Sequence, residues 1–250
     1  MESDTADREL VLTRVTFDVT DEPKLREALG KAEPDGLIEA VEGATSISGQ
    51  LLAGDDYRLS LYNDRGGSFD GTILNRHRKL MPTNPERMVW GTGDARGLRA
   101  LDTPIGRVGA LICWENYMPL ARYTLYAEGV QIYVASTWDE GEGWLATMRH
   151  IASEGRCWVL GSGCALNSDD VPPTLPARDS LYPNGDTWLN SGDSVIIDPH
   201  GQVVAGPLHR EYGILYADID PAVSASAHRT MDVAGHENNV LDPMAANGFQ

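Results

Sequence analysis

Lysine is almost absent: Lys24, Lys31 and Lys79 stand against 17 arginines and 22 aspartates in 250 residues. The 20 basic side chains face 37 acidic ones, a formal net charge of -17. Nucleic-acid binding needs a basic footprint, so phosphate-backbone recognition is excluded as a main role. An acidic, lysine-poor surface suits the self-repelling exteriors of salt-adapted proteins, and equally a coding preference for arginine. Cysteine is scarce as well. Cys113, Cys157 and Cys164 are too few, and odd in number, for a disulfide scaffold, and they suit a reducing, cytoplasmic setting. Cys157 and Cys164 have no histidine partners at zinc-ligand spacing, so no metal site is expected. Long apolar runs and a basic-then-apolar leader are also lacking, so no membrane partner is expected.

What remains is the composition of a folded chain. Hydrophobic residues make up 42%, enough for a substantial core at this length. No repeat or interdomain linker interrupts the sequence, so residues 1–250 read as a single α+β domain, weakly patterned over 1–45. Alternation predicts strands at 47–52, 57–62 and 72–78, then around 99–103 and 107–112. Periodicity predicts helices near 23–44, 118–128 (stopped by Gly129) and 144–155. Apolar runs at 130–135 and 158–164 read as buried strands. A loop is expected at 168–186, a hairpin from 194–197 to 203–204, and a last strand at 213–219.

The most informative stretch is Gly109-Ala110-Leu111-Ile112-Cys113-Trp114-Glu115-Asn116-Tyr117. It sets a thiol at the end of an apolar strand and just before a helix, where a nucleophile is held firmly yet can be reached. A free thiol with a pKa near 8.5 is only about 3% thiolate at neutral pH, so an activating cation is needed. None of the six histidines announces itself. Lys79, in His77-Arg78-Lys79-Leu80-Met81-Pro82-Thr83, is the alternative. On local pattern it reads equally as a solvated surface lysine. Glu86 could hold Lys79 charged, or form a surface pair with Arg87.

These segments closely resemble the nitrilase branch of the carbon–nitrogen hydrolase superfamily. The likeness runs through 77–83, Glu86-Arg87, Trp90-Gly91, 102–103, 106–109 and the Cys113 stretch. It continues through 131–139, 148–157, Gly185-Asp186-Thr187-Trp188-Leu189-Asn190-Ser191-Gly192-Asp193-Ser194 and 206–208, and so covers about residues 47–236. The resemblance implies an α-β-β-α sandwich and a homodimer or larger homo-oligomer. It also implies hydrolysis of a small-molecule nitrile to the carboxylic acid and ammonia, with no cofactor. Cys113 would form a thioimidate and then a thioester. Lys79 would stabilise charge on the nitrile nitrogen, and Glu86 would support Lys79. Trp114 would add its backbone N–H to the anion hole. Trp138 reads as a pocket wall or a core tryptophan. His150, one helical turn from Glu154, reads as a pocket group or one half of a structural pair. Glu115 reads as a brace for the turn.

The resemblance also implies a general-base glutamate well upstream of Lys79, before a Gly-Tyr-Pro turn. Only 78 residues precede Lys79 and no Gly-Tyr-Pro occurs. The first strand–helix unit is therefore expected to be missing or replaced, with Glu42 a weak candidate for the base. The tail at 237–250 departs as well. Two alternatives follow: an inactive nitrilase-like binding or assembly subunit, or a carbon–nitrogen hydrolase acting on amides or cyanide-type substrates.

Overall fold

The computed structural model describes residues 14–18, 45–53, 57–65 and 68–235, apart from 89, 104 and 184. Two sheets carry the chain. The first is an antiparallel meander, β1 (Arg14–Asp18), β2 (Thr45–Ala53), β3 (Tyr57–Arg65) and β4 (Ser68–Arg78), paired in chain order. The second contains β5 (Leu101–Thr103), β6 (Gly106–Ile112), β7 (Ile132–Thr137), β8 (Trp158–Gly163), β10 (Trp188–Ile197) and β11 (Val203–His209), with the short β9 (Ala165–Asn167) paired to β10.

Strands β6, β7 and β8 run parallel. Parallel neighbours need crossovers, and α1 (Pro119–Ala127) and α2 (Gly141–Gly155) supply them. Pro119 opens α1, where its fixed φ fits and its missing N–H costs nothing. Gly129, at φ +70°, ends the turn that follows. A further short helix, α3 (Arg178–Leu181), sits in the expected 168–186 loop, and α4 (Pro221–His228) follows the second sheet.

Side-chain alternation decides the core. Leu111, Tyr133, Ala135, Val159, Val195 and Ile197 point to one face of the second sheet, where they meet Leu125 of α1 and Trp144, Met148 and Ile151 of α2. Val108, Ala110, Ile112, Ile132, Val134 and Leu160 point to the other face, joined by Ile196 and Ile219. Both faces are therefore covered, which is why the run through 130–135 is almost continuously apolar. Each fully buried Leu, Ile or Met side chain contributes about 1.5–3 kcal/mol. Strands β8 and β10 approach very closely at Gly163, where an added Cβ would stand 1.6 Å from the Gly192 carbonyl oxygen.

Two expectations need correction. Residues 213–219 form no strand, despite their alternation. Alternation needs a ladder partner, and this segment has none among the described residues: Leu215 lies against Gly206, Ile219 reaches the core and Ile214 stays exposed. Conversely, β1 lies inside the stretch read as weakly patterned, where Val15 and Phe17 carry a short alternation. The helix expected over 23–44, Glu42 and the 237–250 tail fall outside the described residues.

Candidate active site

Cys113 begins a 3-10 turn, Cys113–Tyr117, directly at the end of β6. Its φ is +53°, a left-handed conformation that a residue with a side chain rarely adopts. That strain is of order 1 kcal/mol and persists because the strand before and the turn after hold it. The arrangement turns the thiol off the strand axis at the carboxyl ends of β6, β7 and β8. Open parallel sheets bind ligands at that edge.

The other two thiols are poorer nucleophiles. Burial pushes Cys157 well above the ordinary thiol range and raises Cys164 as well.

Lys79 follows β4 immediately and is only 1% exposed, so it is no surface lysine. Its Nζ donates to both carboxylate oxygens of Glu86, at 2.9 and 2.7 Å. The Thr83 backbone N–H (2.6 Å) and hydroxyl (2.9 Å) donate to the same carboxylate. Arg87 turns away and donates to the Pro82 carbonyl at 3.0 Å. Partial burial works against ionised Glu86, but the Lys79 and Thr83 hydrogen bonds outweigh it, and its pKa lies below the ordinary 4.5.

Glu115 joins these two groups. Its carboxylate is fully buried and accepts the backbone N–H of Ile112 at 2.8 Å and that of Leu80. It also lies 3.0 Å from His77 Nε2. One carboxylate thus binds the residue before Cys113 and the residue after Lys79. The two candidate catalytic residues, 34 positions apart in sequence, are stitched together through their immediate neighbours. His77 was not singled out from the sequence, and its position two residues before Lys79 was the only signal. Next to this knot, Asn116 Nδ2 donates to the Cys113 carbonyl at 2.7 Å and accepts the Tyr133 hydroxyl through Oδ1 at 2.7 Å.

Trp114 and Trp138 are half exposed, so Trp138 is not a core tryptophan. Trp114 Nε1 donates to Asp139 Oδ2 at 2.8 Å, and Trp138 is tied by its carbonyl to Asn190 Nδ2. His150 stands apart. It is exposed on α2, and its Nε2 is 3.4 Å from Glu154 Oε1. Glu154 is in turn held by Arg122 (3.1 Å) and the Tyr126 hydroxyl (2.9 Å) of α1. The bonding of His150 is that of a helix-packing pair.

The sequence profile of the carbon-nitrogen hydrolase family matches residues 48–229, a span that contains Cys113, Lys79, Glu86 and Glu115. The chain belongs to this family, in its nitrilase branch. It is 46% identical over 228 residues to an aliphatic nitrilase of Sinorhizobium fredii, covering 83% of this chain and 73% of that protein. It is 45% identical over 171 residues to a bifunctional nitrilase/nitrile hydratase of Lupinus angustifolius, covering 66% of this chain and 48% of that one. The chain thus spans from about half to about three-quarters of the length of these nitrilase relatives. Among solved structures, a carbon-nitrogen hydrolase from Helicobacter pylori superposes with a TM-score of 0.58 at 17% identity, over 78% of this chain and 70% of that one. The mixed sheets and helices of this nitrilase-branch chain accordingly have the superfamily's α-β-β-α fold. No helix among its described residues is long and apolar enough to cross a membrane.

Proposed function

We propose that this chain hydrolyses nitriles to carboxylic acids and ammonia, with Cys113 as nucleophile and no cofactor. The observation that carries the reading is the Glu115 carboxylate, bound to the amides of both Ile112 and Leu80. That bridge supports an encounter between thiol and ammonium over one substrate atom. The names of the relatives favour a nitrile over an amide.

In this reaction the Cys113 sulfur adds to the nitrile carbon. One π bond opens, and the nitrogen takes a proton to give a thioimidate. Lys79, held by its bonds to Glu86, stabilises the negative charge as it develops on nitrogen. Water adds to the thioimidate carbon, ammonia leaves, and a thioester remains. A second water releases the acid and restores the thiol. The Trp114 backbone N–H, next in sequence after Cys113, is assigned to assist at the anion. Trp138 forms a half-exposed wall, and His150 braces α2 against α1.

The wider setting follows the same reading. We take residues 1–250 as one domain that works in the cytoplasm, where its three free cysteines stay reduced. It pairs with a second copy, a reading supported by Leu120 and Tyr123, which α1 leaves exposed.

The direct test measures ammonia, acid and amide released from a panel of aliphatic and aromatic nitriles, with Cys113→Ala beside the wild type. Acid and ammonia in equal amounts, absent from C113A, are expected. Equal release by both proteins ends the enzyme reading and leaves a binding or assembly role. Amide without ammonia replaces hydrolysis by hydration, and ammonia from amides alone assigns an amidase.

A further inference from the structure

The segment Asn190-Ser191-Gly192-Asp193 has no part in the chemistry above, yet it stitches β10 to the loop that leaves β7. Asn190 Nδ2 binds the Trp138 carbonyl, and the Ser191 N–H binds the Glu140 carboxylate. Asp193, 1% exposed, accepts the first N–H of α2, that of Gly141, at 2.7 Å. Its other oxygen is 2.7 Å from His209 Nδ1. Residues 138–141 are therefore held at three points, Trp138, Glu140 and Gly141.

At the centre of that clamped loop is Asp139. Its Oδ2 accepts both the Trp114 indole N–H at 2.8 Å and the Tyr117 hydroxyl at 2.7 Å. Its Oδ1 accepts the Glu140 N–H at 3.0 Å, and its own N–H donates to Thr137 Oγ1 at 2.7 Å. Tyr117 packs edge-on against Trp114 (centroids 6.1 Å apart) and against the fully buried Trp144 (6.3 Å). Burial first, and then the bond to Asp139, push the Tyr117 hydroxyl up to about 12, so it remains a donor at any working pH.

Trp114, Tyr117 and Trp138 are 53%, 41% and 49% exposed. Trp114 and Tyr117 stand on the turn that begins at Cys113, and Trp138 directly precedes Asp139, so these half-exposed rings offer apolar surface on the segments that Asp139 joins. Packing alone holds a half-exposed indole weakly, because few contacts offset the rotamer entropy lost on fixing it. A carboxylate that accepts its N–H does hold it, through a charge-assisted bond.

We propose that Asp139 is a positioning residue: by gathering the Trp114 indole and the Tyr117 phenol on one oxygen it fixes the aromatic wall beside Cys113, and so sets which substrate shapes reach the sulfur. The inference rests on the nitrile-hydrolase reading for its substrate, but its test does not need turnover. Cys113 is alkylated with iodoacetamide and with an iodoacetanilide, and the adducts are counted by intact mass spectrometry. C113A subtracts any reaction at Cys157 and Cys164.

In D139A the ratio of the two rates is expected to shift about 10-fold toward the aryl reagent, because a released indole can swing aside. D139N, which keeps one acceptor oxygen, shifts it less. W114F shifts it in the same direction, and the double variant D139A/W114F shifts it by less than the product of the single effects, because both act through one contact. A ratio within twofold of wild type in D139A, a shift toward the small reagent, or full multiplicativity in the double variant overturns the proposal. If D139A does not fold, D139N carries the same criteria. Absence of nitrile turnover in the wild type defeats the functional reading alone and leaves the alkylation ratio to decide the role of Asp139.

Discussion

Glu115→Ala lowers the stability of the folded chain by about 3–5 kcal/mol and slows every reaction of Cys113. The carboxylate is fully buried and meets three donors: the N–H groups of Ile112 and Leu80, and His77 Nε2. Alanine leaves two backbone N–H groups without an acceptor in a dry site, and each costs about 1–3 kcal/mol. Domains of this kind have about 5–15 kcal/mol in all, so the variant folds but with a narrow margin. Glu115→Gln separates shape from charge. Its volume is the same, but its amide offers one oxygen where three donors converged, and its NH2 faces further donors. It should therefore recover less than half of the loss. Urea unfolding measures both variants. If E115A matched the wild-type midpoint, the carboxylate would not be what joins Cys113 to Lys79.

Lys79→Met reduces nitrile turnover by about 10²–10³, the usual cost of losing a donor aimed at a developing anion. It also destabilises the fold, because the Glu86 carboxylate loses its cation while keeping only the Thr83 N–H and hydroxyl. The two effects are separable. In the double variant K79M/E86Q the Glu86 position no longer carries a carboxylate without its cation, so part of the lost stability returns while turnover stays low. Lysine to arginine does not rescue activity, because a planar guanidinium fork does not reproduce the compact ammonium that bonds both Glu86 oxygens from a 1% exposed position. The pH dependence follows in sign. Glu86 in the folded protein ionises below its ordinary 4.5, so its stabilising contribution is present above that value and fades as the pH falls through the folded pKa. In K79M the folded pKa of Glu86 rises, so the contribution is smaller and its loss is complete at a higher pH. Turnover in K79M within fivefold of wild type would remove Lys79 from the chemistry.

The parts legible from sequence were those encoded locally. The apolar run before Cys113 located that thiol at a strand end, and the observed turn begins at that residue. The helices at 119–127 and 141–155 followed from periodicity to within three residues at every end. Lys79 stood out because the chain nearly avoids lysine. What stayed hidden needs contacts across the fold. Glu115 reads as one more acid after a cysteine until Leu80, 35 residues away, donates to it. Asp139 looks like an ordinary loop aspartate until Trp114 and Tyr117 converge on it from another crossover. The misread strand at 213–219 failed for the same reason: alternation is local, but pairing is not.

The most direct test of the central claim is to trap the covalent intermediate. The wild type is mixed with excess nitrile, quenched in acid within the first turnover, and mapped by peptide mass spectrometry. The account predicts a thioimidate or thioester adduct on Cys113 alone, absent in C113A and reduced in K79M. An adduct on Cys157 or Cys164, or nitrile consumption with no Cys113 adduct at any quench time, contradicts it.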